Sequence, residues 1–228
     1  MCTREIIGGK CKVVADSQFW QEKHDDYAAR DWSKKPSIFV EEIVEYFPAG
    51  SRILELGCGQ GQDGLWLAGA RGFHVIATDF EESALYISRQ RKLEQDVQNI
   101  LFESLNLDEL FVYDDEKFDV VYSHLALHYF DTETTKQVFN EIYRVLKPGG
   151  IVAFLVNSVN DPEYNSGTKL EGDYFETEGT KKRYFSAESV KKFAEKFDVI
   201  ICDEKGETYK DIDKGVHHLV RFVGKKPA

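Results

Sequence analysis

The chain has few cysteines, and none of the four, Cys2, Cys11, Cys58 and Cys202, sits in a C-x-x-C pair. That removes the spacing expected of a zinc or redox site. Nothing in their placement makes a disulfide framework, which fits a reducing, cytoplasmic setting. Long apolar runs are missing too: none approaches the roughly 20 residues that span a bilayer, so no membrane partner is expected. The stretch from Met1 to Lys12 has no sustained apolar core, so no signal peptide is expected. Basic charge is in deficit. Against 40 acidic side chains stand 29 basic ones, a formal charge of −11. An acidic surface repels phosphate backbones, which argues against nucleic acid as a partner. The one short basic run, Lys181-Lys182-Arg183, reads as a solvated turn. Internal repeats and low-complexity linkers are absent, so the 228 residues read as one domain.

What is present supports a packed core: 42% of residues are hydrophobic and 13% aromatic. Residues 53–64 read Ile-Leu-Glu-Leu-Gly-Cys-Gly-Gln-Gly-Gln-Asp-Gly. A short apolar run carries an acid, Glu55, and glycines follow at 57, 59 and 61. This is a strand, a loop of bare backbone and a helix start, where main-chain groups can approach a ligand closely. A second apolar run, 73–78, ends in Asp79. An acid at the tip of the second strand is the usual partner of a ribose diol in doubly wound folds. A dinucleotide loop, G-x-G-x-x-G, needs glycine at position 62, and Gln62 stands there.

Periodicity fills in the rest. Apolar residues at 39, 40, 43, 44 and 47 make one helical face over 37–47. Strands are expected at 52–56, 73–78, 100–103, 118–123 and 151–156. Helices are expected at 62–70, 81–95, 132–146 and 186–196, the last capped by Ser186. Val138, Ile142, Val145 and Leu146 line one side of the third of these. Pro148-Gly149-Gly150 should break the chain before the wholly apolar run 151–156. Two closing strands, 197–202 and 216–223, have no long helix between them and should pair antiparallel at one edge. Residues 157–185 show no periodicity. Residues 1–35 are polar apart from a few aromatics, Trp20, Tyr27 and Trp32 among them, and read as a loop or short helix lying over the domain. The expected fold is α/β: a doubly wound, Rossmann-like sheet of about seven strands, mostly parallel with an antiparallel closing strand, and helices on both faces.

The acid-x-G-x-G-x-G pattern resembles motif I of the class I S-adenosylmethionine-dependent methyltransferases. The resemblance runs from about 36 to 224. It takes in Val-Ile-Ala-Thr-Asp-Phe at 75–80, Phe-Asp-Val-Val-Tyr-Ser at 118–123 and Val-Leu-Lys-Pro-Gly-Gly at 145–150. It implies S-adenosylmethionine as cofactor and S-adenosylhomocysteine as product. By that resemblance the backbones of Gly57 and His124 meet the cofactor's ammonium, with Gly59 and Gly61 completing the loop. Glu55 orients the loop from beneath or meets the ammonium through water. Cys58, between two binding glycines, reads as a small filler rather than a nucleophile. Asp79 takes the ribose diol, or caps the helix that opens at 81. Phe80 packs on the adenine. Asn106 stands where the family usually has aspartate and can still accept from the exocyclic amine, with Leu107 as the second face. Asp108 competes with Asn106 if the register shifts.

An activated methyl needs little beyond an in-line nucleophile in a dry cleft. A base is required only where the nucleophile must lose a proton. His128 and Tyr27 are the candidates, and His124 lies nearby. His217 and His218 read as structural. The positions after the fourth and fifth strands hold His124 and Asn157 rather than clustered acids, so no metal is expected. The Asn/Asp-Pro-Pro-aromatic tetrad of amino-DNA methyltransferases is absent. Substrate choice should therefore lie in the additions at 1–35 and 157–185, whose aromatics either wall a small pocket or fasten the segments down. The expected activity is methyl transfer to a small-molecule acceptor. The alternative is a catalytically inactive S-adenosylmethionine-binding protein of the same fold, acting as a partner or regulator.

Overall fold

Apolar runs alternating with helical stretches build one seven-stranded sheet, seen in a computed structural model that describes residues 6–7, 10–11, 17–177, 179–209 and 216–228. Cys2 lies outside the described residues, and so do the side chains of Cys11 and His217. The first strands, β1 (Ile6–Ile7) and β2 (Lys10–Cys11), pair antiparallel. Helices α1 (Ser17–Ala28) and α2 (Ile38–Ile43) follow. The alternating unit then runs β3 (Arg52–Leu56), α3 (Gln62–Gly69), β4 (His74–Asp79), α4 (Glu82–Glu94), β5 (Ile100–Ser104) and β6 (Phe118–His124). It continues through α5 (Thr132–Val145) and β7 (Leu146–Val156). Three short strands follow, β8 (Thr168–Glu171), β9 (Tyr174–Thr177) and β10 (Thr180–Arg183), then α6 (Ala187–Phe193), β11 (Asp198–Thr208) and β12 (Val216–Lys225).

The sheet order is β11-β12-β7-β6-β3-β4-β5. Strands β5, β4, β3, β6 and β7 are parallel, and β12 runs antiparallel to both β7 and β11. The chain steps outward from β3 to β4 and β5, then returns to place β6 on the other side of β3. The crevice above the C-terminal ends of β3 and β6 is thus the switch point where open α/β sheets bind ligands.

Alternation along β3 divides its side chains between two cores. Ile53 faces the layer with Phe39, Leu65 and Val75; Leu54 and Leu56 face the layer with Val138, Ile142 and Phe154. Both faces are covered, which is why the central strands read as continuous apolar runs. The period also sends Glu55 to the same face as Ile53 and Tyr122 to the same face as Val120, beneath α2 and α3. Helix α5 buries Val138, Ile142 and Val145, the fourth marked residue, Leu146, is buried as the first of β7, and the N-cap Asp131 accepts from the Thr134 amide at 2.8 Å. Ser186 caps α6, as its sequence predicts.

Two stretches differ from expectation. Strand β7 begins at Leu146, so Pro148-Gly149-Gly150 bends within a paired strand rather than ending it; the register shifts there, between Phe118 and Val120 of β6. Residues 157–185 hold the antiparallel sheet β10-β9-β8. Its first hairpin turns at 172–173, and Gly172 and Gly179 have positive φ.

Candidate functional site

The loop after β3 and the tip of β4 meet at the switch point. Glu55 is 3% exposed, with its carboxyl set against Gly64 in the first turn of α3. A Cβ at Gly64 would strike Glu55 Oε2, so glycine at 64 makes room for the acid. Burial, with Asp63 and Asp79 nearby, holds the Glu55 carboxyl well above the usual carboxylate range. Asp63, two residues into α3, accepts from Tyr122 Oη at 2.5 Å, the Ser37 amide at 2.6 Å and Ser37 Oγ at 2.8 Å. That ties α3 to the start of α2 and to β6.

Asp79 Oδ2 accepts from the Gly59 amide at 2.8 Å, and Oδ1 accepts from the Glu81 amide at 3.0 Å. The helix cap of α4 is Glu81 itself, whose side chain accepts from the Ser83 amide. Asp79 therefore fastens the loop to the second strand tip. It keeps lone pairs toward the crevice, because each carboxylate oxygen accepts more than one bond. Cys58 is 7% exposed with its thiol on the Gly59 carbonyl, and burial pushes that thiol well up, so it is a protonated filler.

Helix α1 lies over this loop. His24 is 7% exposed, and a Cβ at Gly59 would lie 3.2 Å from its Cε1. Gly59 has φ +50°, so the position combines left-handed backbone with a close neighbour. Gln60 Nε2 donates to the His24 carbonyl at 2.5 Å. From α4, Arg91 donates to the Ser33 carbonyl at 2.8 Å and to the Gln60 carbonyl at 3.4 Å. Burial lowers the His24 pKa and raises that of Asp79, outweighing the attraction between the two. Rings continue outward. Trp20 packs edge-on against Tyr129 at 4.9 Å and Phe80 at 6.5 Å, and Tyr27 sits between His24 and Trp32.

Four buried polar atoms around this loop have no partner among the described residues: Glu55 Oε2, Gln60 Oε1, His24 Nδ1 and Trp32 Nε1. Two are acceptors, one is an indole donor, and one is an imidazole nitrogen able to be either. Buried polar atoms are almost always bonded, so this set fits a ligand carrying both a cationic donor and an anionic acceptor. Two surface grooves lie away from the loop. One of about 680 Å³ runs between residues 33–36, α3 and the end of α4, and touches neither Gly59 nor Asp79. Helix α1 lies against the glycine loop through His24.

The other sequence-marked residues divide. Phe80 is part-exposed beside the crevice, in contact with Trp20. Leu107 is buried in the α5-side core. Asn106 is exposed, and its Oδ1 faces the Asp108 amide at 3.5 Å. His124 is the last residue of β6, with Nε2 3.2 Å from Thr208 Oγ1 at the end of β11. Burial lowers its pKa. His128 is 2% exposed, its ring 4.3 Å from Tyr129. The β8–β10 sheet grips that loop: the Arg183 amide donates to the His128 carbonyl at 2.7 Å and Tyr174 Oη to the Tyr129 carbonyl at 3.1 Å. Phe175 and Tyr184 pack with Tyr164 inside the insertion. Those rings fasten the segment rather than wall a pocket.

Sequence reasoning missed His24, Gln60, Asp63 and Arg91. For Asp63 a signal existed, an acid in the first turn of a helix whose glycine loop precedes it. His24 had only its aromatic neighbours.

Among the described residues no group of three His, Cys, Asp or Glu side chains is placed to hold a metal ion, and no helix is long and apolar enough to cross a membrane. Residues 53–150 match the family model described as a methyltransferase domain. Over that stretch the chain is similar to class I S-adenosylmethionine-dependent methyltransferases. It is similar to phosphoethanolamine N-methyltransferase 1 of Triticum aestivum, 30% identical over 158 residues covering 64% of this chain and 31% of the relative. It is similar also to 27-O-demethylrifamycin SV methyltransferase of Amycolatopsis mediterranei, 33% identical over 160 residues covering 66% and 58%. Among solved structures, the Burkholderia thailandensis 1,6-didemethyltoxoflavin-N1-methyltransferase, with bound 1,6-didemethyltoxoflavin and S-adenosylhomocysteine, shares the fold. The TM-score is 0.69 at 15% identity, covering 92% of this chain and 85% of that one. The chain spans less than two thirds of the length of these curated relatives.

Proposed function

We propose that this chain binds S-adenosylmethionine at the glycine loop and transfers its methyl group to a small-molecule acceptor. The observation that carries the reading is the set of unpartnered buried atoms on and around a loop locked to Asp79. In this reading Glu55 Oε2 and Gln60 Oε1 face the cofactor's ammonium, with the Gly57 and His124 backbones beside it. Asp79 accepts from the ribose hydroxyls. Phe80 lies on one adenine face, and Asn106 or Asp108 takes the amine edge beside Leu107.

Bound S-adenosylmethionine supplies an activated methyl group on a sulfonium. The chain's part is to hold an acceptor in line and keep water out. Residues 1–35 act as a lid over the cofactor, and the 157–185 insertion fixes the acceptor side. Trp20, Phe80, Tyr129 and His128 form the acceptor wall. Burial and Asp26 raise the Tyr27 phenol, so Tyr27 serves as a hydrogen-bond donor. His128 is the base where the acceptor must lose a proton. The relatives, named for phosphoethanolamine and a demethylated rifamycin, support a small acceptor.

Isothermal titration with S-adenosylmethionine, S-adenosylhomocysteine and NAD tests the cofactor, with binding of the first two expected at roughly micromolar strength. Binding of NAD alone would overturn the reading. Formation of S-adenosylhomocysteine with a panel of small thiols, amines and hydroxyl compounds tests the activity. Tight cofactor binding without turnover on any acceptor would favour the inactive binding protein.

A further inference from the structure

We propose that His24 is a cofactor-binding residue, its Nδ1 donating to the carboxylate at the amino-acid end, so that bound cofactor itself fastens helix α1 over the site. The inference rests on the function proposed above. It adds a contact from the N-terminal segment that the glycine-loop motif does not contain.

Position comes first. The His24 ring lies against Gly59, with Cε1 at 3.2 Å and Nδ1 at 3.9 Å from where a Cβ would stand. The Gly59 amide is bonded to Asp79, and the next residue, Gln60, is bonded to the His24 carbonyl. The His24 backbone is thus tied to the loop while its ring rests on Gly59. Its Nδ1 is nevertheless buried and without a partner among the described residues, on a side chain only 7% exposed. An unpaired nitrogen in that position is costly, and a ligand atom removes the cost.

Charge decides which atom. Glu55, Asp79 and Glu81 crowd the loop. They suit an ammonium and hydroxyl donors, and they repel a carboxylate. The cations that flank the loop are engaged: Arg91 holds Ser33 and Gln60, and Arg89 pairs with Glu82 and reaches the Phe102 carbonyl. Of the two unpartnered nitrogens among the described residues near the loop, Trp32 Nε1 and His24 Nδ1, it is His24 that lies against Gly59 and so faces the cofactor's one anionic group. Burial keeps the imidazole neutral, so a carboxylate selects the tautomer with the proton on Nδ1.

The test is a variant-by-ligand cycle. His24→Phe keeps ring bulk against Gly59 and Trp20 and removes Nδ1. Titrate the parent and the variant with S-adenosylhomocysteine and with its decarboxylated analogue. The parent should prefer the carboxylated ligand by about tenfold, and His24→Phe should abolish that preference, the mark of a direct coupling. His24→Asn, whose amide NH₂ sits near the Nδ1 position, should recover part of it. Should His24→Phe fail to fold in a thermal melt, His24→Asn against His24→Leu carries the same comparison. Equal loss for both ligands would make the ring a packing element and overturn the proposal. A tighter-binding variant would overturn it too, by making His24 a plug. A parent that binds neither ligand would bring down the function proposed above, and this inference with it.

Discussion

The carboxyl of Glu55 lies against Gly64, with no room for a side chain between them. The strand end and the helix start are therefore one unit. Gly64→Ala should destabilise the protein by about 1–3 kcal/mol, the usual cost of forcing extra volume into a packed site. The same change made on Glu55→Ala should cost markedly less, because the colliding oxygen is gone. Chemical denaturation of the four proteins gives the coupling.

Glu55 also makes a pH prediction. Its folded pKa lies well above the ordinary glutamate value. The native state then holds a proton that the unfolded chain has released, so stability falls as pH rises from the ordinary carboxylate range through the raised one. Glu55→Gln should flatten that slope in the cofactor-free protein. At neutral pH it should melt at or above the parent temperature while binding S-adenosylmethionine more weakly. A variant with the parent's pH slope would show that Glu55 ionises freely.

Asp79→Ala should cost cofactor binding about 1.5–3 kcal/mol, the scale of hydrogen bonds to a charged group. It should also lower the melting temperature, since Asp79 holds the Gly59 and Glu81 amides. Titration and melting on one sample separate the two effects. Unchanged affinity beside a lowered melt would make Asp79 a purely structural tie.

Gly59→Val should remove cofactor binding from a folded domain. The residue has φ +50°, and a branched side chain would meet the His24 ring. Normal binding by this variant would place the site away from the loop.

A truncation beginning at Lys34 tests the N-terminal segment. On the lid reading the domain stays folded, exchanges cofactor faster and loses turnover. It also loses the bonds of Arg91 to Ser33 and of Gln60 to His24, so a small fall in melting temperature is expected. Full turnover from a stable truncation would take the segment out of the active site.

The seven-stranded sheet was legible because each of its strands carries its own apolar run, and because α5 and α6 carry clear faces or caps. The glycine loop, Glu55 and Asp79 were legible because their roles depend on local spacing. His24 was not, since its importance comes from where a polar helix lands after folding. The β8–β10 sheet was missed for a different reason. Its strands alternate weakly, and Thr168–Glu171 is exposed throughout. The Gly-Asp pair at 172–173 and the Glu-Gly pair at 178–179 were the turn signals that pointed to it. Asn106 illustrates the limit of motif position: the residue in the aspartate's place is exposed, while the leucine after it is buried.

The antiparallel insertion of β12 between β7 and β11 bears on how the chain is made. Val152, Phe154 and Val156 wait beside an open edge until residues 216–225 have left the ribosome and Gly224, Phe222 and Val220 can pair with them. Phe154 and Phe222 then stack at 4.9 Å in the sealed interior. During synthesis the apolar run 151–156 is an unpaired strand, the kind of edge that recruits other chains. Ribosomes stalled between α6 and β12 should therefore present an aggregation-prone nascent chain, and a binding-competent crevice should form only after β12 has docked.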